Sequence, residues 1–162
     1  MFQPDKDGIY AVVAASGIRR IIACFIVYAL GALVVYISII PPFKAVLTPL
    51  VLVLGLAILW VAEKLRRSTL TQIIMTDEAI SDSNGLVLAR IEDILAVDRG
   101  AFAMKPSNGF TLKLKTKQPR GWAPGLWWRL GNRVGVGGAT AAGQSKFMAE
   151  QIALRIAGRE RS

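Results

Sequence analysis

The chain has 162 residues, of which 53% are hydrophobic and only 19% charged, and its mean hydropathy is +0.44. Soluble domains carry about one quarter charged residues, so part of this chain is suited to lipid. There is no histidine and one cysteine, Cys24, which excludes His-ligated metal or haem, Ser-His-Asp and Cys-His catalysis, and an intramolecular disulfide. The net charge of +9 favours anionic partners.

Residues 1–18 read as a cytoplasmic or interfacial segment. Within it, 8–17 (GIYAVVAASG) is small and apolar, and is expected to extend the helix that follows. Residues 21–40 hold no charge, and a helix of about 20 apolar residues spans a hydrocarbon core of roughly 30 Å. Pro41 and Pro42 stop it. A second uncharged run, 45–62, carries Pro49 in its first turn and Trp60 at its far end, where an interfacial anchor belongs. The first run exceeds the roughly 7–15 apolar residues of a signal peptide and lacks an A-x-A-like site. Residues 19–62 are therefore expected to form a two-helix transmembrane hairpin.

Arg19 and Arg20 precede the first span, Lys64, Arg66 and Arg67 follow the second, and the connection holds a single lysine, Lys44. Short-loop Lys/Arg bias places both termini in the cytoplasm and makes those five flanking cations the expected contacts to anionic lipid. Gly31 and Gly55 lie near the span midpoints, where small residues let helices approach closely. Neither span carries a charged residue, which argues against an ion or proton pathway.

From residue 63 to 162 charge and turn signals return. Residues 68–75 read as a strand, 76–78 as a turn, 79–81 as a strand, 82–85 as an Asn-Gly hairpin turn and 86–90 as its returning strand. Residues 91–98 read as one helical turn leading into a strand. In 109–117, Phe110, Leu112 and Leu114 alternate with Thr111, Lys113 and Lys115, the pattern of a half-buried strand with a basic outer face. Residues 142–157 place Met148, Ile152 and Ile156 on one helical stripe with Phe147 and Leu154 beside it. Gly158 serves as C-cap, and Arg155, Arg159 and Arg161 sit near the negative helix end. The expected fold is a membrane α+β protein: a transmembrane helical hairpin, then a small antiparallel β domain closed by a C-terminal helix.

Thr76-Asp77-Glu78-Ala79-Ile80 ahead of Asn84-Gly85, followed by Ile91-Glu92-Asp93-Ile94, resembles bacterial membrane-anchored PH-like domain proteins. Ile91 stands where that family usually has tryptophan. The resemblance covers about residues 63–157. It implies a bent sheet or partly open barrel closed by a helix, and a scaffold or binding module rather than an enzyme.

Residues 119–133 gather Trp122, Trp127 and Trp128 among Arg120, Arg129 and Arg133. Tryptophan with arginine suits headgroup depth, a protein contact surface, or a loop folded onto the core. These six residues are the candidate interface, with membrane insertion the leading expectation. In 135–145 the spacing of Gly138, Gly143 and Ser145 approaches a phosphate loop, but Gln144 replaces its lysine and the strands read as antiparallel. Asp77-Glu78 and Glu92-Asp93 sit at turns, where carboxylates bond locally. The basic face of that strand carries no aromatic residue, which disfavours nucleic acid.

The expectation is a non-catalytic accessory or scaffold protein, multi-pass in the bacterial cytoplasmic (inner) membrane. Its partners would be the bilayer and a larger integral membrane complex, with no cofactor, no metal, no nucleic acid and no small-molecule substrate. The alternative is a membrane-anchored enzyme or nucleotide-binding protein using loop 135–145.

Overall fold

The computed structural model describes residues 8–40, 47–100 and 106–159. Two helices, α1 (Gly17–Ile39) and α2 (Thr48–Ser68), are long and apolar enough to cross a membrane. Pro49 lies in the first turn of α2, where a missing N–H breaks no helical bond. The helix runs past residue 62 through Glu63, Lys64, Arg66 and Arg67 to Ser68, so the strand expected over 68–75 begins only at Gln72. The hydroxyls explain the overrun. Ser68 Oγ and Thr69 Oγ1 donate to the Leu65 carbonyl and Thr71 Oγ1 donates to that of Ser68, occupying acceptors that a helix end otherwise leaves unpaired. The PPFK connection lies outside the described residues.

The helices pack antiparallel through their glycines. A Cβ on Gly31 would stand 2.7 Å from Leu59 Cδ2, and one on Gly55 would stand 2.7 Å from Val35 Cγ2 and 3.0 Å from the Val35 backbone nitrogen. Each glycine admits the opposite helix rather than the other glycine. Ile21, Phe25, Leu33, Leu50, Leu54 and Trp60 point outward and remain exposed.

The segment expected to prolong the first helix does not. Residues Ala11–Ala14 form strand β1, antiparallel to β2 (Gln72–Met75), with Val13 opposite Ile73. Ala11 and Val13 are buried and the intervening residues less so, so a period-2 pattern outweighs proximity to the helix. β3 (Ala79–Asp82) and β4 (Val87–Arg90) complete a sheet of order β1-β2-β3-β4. The helical pair is thus inserted between two neighbouring strands of one sheet. Between β3 and β4, Asp82 Oδ1 accepts the N–H groups of Asn84 and Leu86 while Gly85 takes φ +85°, as a tight hairpin requires.

A 3-10 turn, Ile91–Asp93, leads into β5 (Ile94–Asp98) of a second sheet. β6 (Phe110–Leu114) is followed by β7 (Gly121–Ala123), β8 (Trp127–Leu130) and β9 (Arg133–Val136), in the order β5-β6-β9-β8-β7. β7, β8 and β9 run as a meander whose last strand returns beside β6, a Greek-key arrangement. Helix α3 (Ala142–Arg159) lays Ser145, Met148, Ala149 and Ile152 against both sheets, with spacing that keeps one face inward. Leu154, expected beside that stripe, is exposed. The helix also continues through Gly158 to Arg159, because the Arg159 guanidinium donates to the carbonyls of Ile91, Glu92 and Ile94 and holds the last turn in place. Arg161 lies outside the described residues. One core spans both sheets and α3, with Ile73, Ile80, Phe110, Leu112, Val134 and Met148 fully buried. Each such side chain contributes about 1.5–3 kcal/mol of transfer free energy.

Candidate functional site

The tryptophan-rich segment is a three-stranded antiparallel unit rather than a long loop. Gly121, Trp122 and Ala123 stand opposite Arg129, Trp128 and Trp127, and β8 pairs on with β9. Side chains alternate across a sheet, so Trp127 and Trp128 must point to opposite faces. Trp127 turns inward and is 5% exposed. Its ring crosses Gly121, where a Cβ would stand 2.8 Å from Trp127 Cη2. This corrects the expectation for Trp127 and Arg129: both face the interior. Arg129, 8% exposed, donates to the Val87 and Pro119 carbonyls and lies 6.0 Å from the Trp127 ring centroid. The guanidinium ties β4 to the start of β7, across the two sheets.

The other face is different. Trp122, Trp128, Gly135 and Thr111 share one cross-strand row over β7, β8, β9 and β6. The Trp128 ring lies on Gly135, in space that a Cβ would occupy, and Gly135 and Thr111 are both buried. Trp122 is 48% exposed. One row further, Lys113, Arg133 and Leu130 stand opposite one another, all exposed, and Arg120 is exposed just before β7. Of the six residues in the segment, four lie on or beside this outer face. Lys113 joins them only through the fold.

The ends of the helical pair meet the turns of this sheet. Ser68 Oγ donates to the Pro124 carbonyl at 2.6 Å, and Leu65 and Thr69 pack on Gly125. At the other helix, the Ser16 N–H donates to the Ala139 carbonyl and Arg19 to that of Thr140. Lys64 stands 5.2 Å over the Trp60 ring and 5.0 Å over that of Trp122, so an ammonium joins the end of the apolar helix to the sheet. Arg66 and Arg67 both pair with Glu63, which also accepts the Tyr28 hydroxyl of α1. Arg20 is half-buried near the start of α1. The five flanking cations therefore lie at the end of the helical pair that meets the sheets.

Loop 135–145 is engaged with the rest of the chain. The N–H groups of Gly137, Gly138, Ala139 and Ala141 donate to the carbonyls of Leu126, Ser107, Gly125 and Ala14. Gln144 Oε1 accepts the Ala14 N–H. Gly138 has φ +119°, and a Cβ there would meet the Gly125 backbone at 2.9 Å. These glycines let two turns and β1 converge, a packing role. Among the carboxylates, Asp77 accepts the Tyr10 hydroxyl and pairs with Arg155, which stacks on the Tyr10 ring. The hydrogen bond to Asp77 pushes the Tyr10 phenol above its ordinary value. Glu92 pairs with Arg90. Both acidic turns border one cleft of about 570 Å³ with Arg159, brought together by the Ile91 N–H donating to the Glu78 carbonyl.

Compared with protein-family models, curated proteins and solved structures, the chain matches none.

Proposed function

We propose that this chain is a non-catalytic accessory protein of the bacterial cytoplasmic membrane, which holds a PH-like domain against the leaflet and packs its helical pair on a larger integral membrane complex. The observation that carries the reading is the insertion of the helical pair between β1 and β2, with both helix ends hydrogen-bonded to the turns of the same domain. A tethering linker needs none of these bonds. They make anchor and domain one body, so a partner in the bilayer also fixes the domain. Support for insertion comes from the two apolar helices with their outward Ile, Leu and Phe side chains and from the cations gathered at one end of the pair. The bent two-sheet body closed by α3 fits the PH-like reading. The same cation asymmetry favours cytoplasmic termini. Loop 135–145 offers nucleotide little, since four of its N–H donors are used within the chain.

Two measurements test this. The full chain should stay with membranes through alkaline carbonate extraction. In mild detergent it should comigrate on a native gel with a defined larger assembly and lose it on Gly31→Leu substitution, which wedges the pair apart. Release by carbonate, or a lone monomer at every detergent and lipid ratio, would refute the proposal.

A further inference from the structure

We infer that the outer face of the second sheet is a seat for anionic lipid headgroups of the bilayer that holds the helical pair. The inference rests on the anchoring just proposed and adds which surface of the domain the leaflet meets.

Sheet register makes this face. Trp122 and Trp128 form one row, and Lys113, Arg133 and Leu130 form the next, about 7 Å away along the strands. Among the described strand residues of this sheet the one carboxylate is Asp98 of β5, opposite Thr111 and diagonal to Lys113, and β6, β7, β8 and β9 hold none, so cations outnumber it on this face. Leu130 stands 53% exposed at the end of the cation row, beside Arg133. An exposed Leu and two Trp rings beside Lys and Arg match the layered chemistry of a headgroup region: apolar area for the acyl boundary, indoles at the interface and cations for phosphate.

Continuity with the helices selects the bilayer over other anions. Trp60 lies where the apolar part of α2 ends, Lys64 stands over it, and Trp122 lies under the same ammonium. The aromatic row therefore begins where the lipid-suited helix surface stops. Single-stranded nucleic acid would need open ring faces for stacking. One face of Trp122 carries Lys64 and one face of Trp128 lies on Gly135. Gly135 has a specific part here: any side chain would lift the Trp128 ring off the sheet.

The test uses the full chain with Cys24→Ala and Leu130→Cys, the new thiol carrying an environment-sensitive fluorophore. The protein is floated with vesicles of phosphatidylcholine alone or with phosphatidylglycerol added. The fluorophore should be quenched by a headgroup-attached nitroxide, more strongly when phosphatidylglycerol is present. Lys113→Gln with Arg133→Gln should weaken the seating about 25-fold, since each cation near an anionic surface contributes roughly a factor of five, while leaving circular dichroism and flotation unchanged. A protein that floats while its fluorophore stays open to aqueous iodide, whatever the lipid charge, overturns this inference and spares the anchor. Shielding by an oligothymidine in neutral vesicles, with no response to phosphatidylglycerol, overturns it in favour of nucleic acid. Failure to float at all sinks the anchor and the inference together.

Discussion

Trp127→Ala is expected to destabilise the domain far more than Trp128→Ala, although the two residues are neighbours in sequence. Trp127 sits in the core with 5% of its surface exposed, and removing such a ring costs about 3–5 kcal/mol in lost transfer free energy and cavity. Against a total stability of roughly 5–15 kcal/mol, that is a large fraction. It should lower the melting point by at least about 12 °C, at roughly 4 °C per kcal/mol. The Trp127 indole nitrogen is buried and has no hydrogen-bond partner among the described residues, and an unpaired buried donor costs about 1–3 kcal/mol. Trp127→Phe removes that donor while keeping much of the ring, so the two effects offset. It should fall within about 1.5 kcal/mol of the parent. The assay is near-UV circular dichroism melting of the full chain in detergent, with amide exchange at Val134 and Val136 as the local readout. A Trp127→Phe variant as unstable as Trp127→Ala would refute the reasoning, because it would mean that the indole N–H is satisfied and needed.

Gly55→Ala should loosen the helical pair more than Gly31→Ala, since its Cβ would approach the Val35 backbone while that of Gly31 meets only side-chain ends; cross-linking between introduced cysteines on the two helices would show it. Arg129→Met leaves the Val87 and Pro119 carbonyls without their donor and should cost about 1–3 kcal/mol, read by denaturant titration, with protection lost first at β4 and β7. Tyr10 donates to Asp77, a bond that only the neutral phenol can make. Its phenolate absorbance should therefore appear at higher pH in the parent than in Asp77→Asn, and coincident titrations would discount the bond.

The two helices are legible in the sequence because absence of charge over a span-length run has few other meanings. The hairpin at Asn84-Gly85, the 3-10 turn into β5 and the strand around Phe110 to Leu114 are legible for similarly local reasons. β1 escapes notice because four small or branched residues beside a helix carry no length signal, and its partner is made much later in the chain. The tryptophan segment defeats period-2 reading for another reason. Trp127 and Arg129 share the inner face while Trp128 and Leu130 share the outer one, so a cation is buried where leucine is exposed. Its carbonyl partners come from β4 and from Pro119, which no local window contains. Lys113 joins the outer face only through the Greek-key crossing of β6 beside β9.

The insertion of α1 and α2 between β1 and β2 also governs the order in which the protein can be assembled. β1 leaves the ribosome before either helix and has no partner until both helices and the residues beyond them have been made. Closure of the first sheet must therefore wait for the helices to reach their final place. If they cross the bilayer, the sheet becomes a checkpoint: a chain whose second helix fails to insert strands β1 and β2 on opposite sides. A fragment beginning at Glu63 faces the complementary defect. It exposes the edge of β2 that Ala11 to Ala14 normally covers, and unpaired strand edges of this kind recruit other chains. Soluble expression of the domain should thus require a chain in which the helices are deleted and 8–16 is joined by a short linker directly to 69.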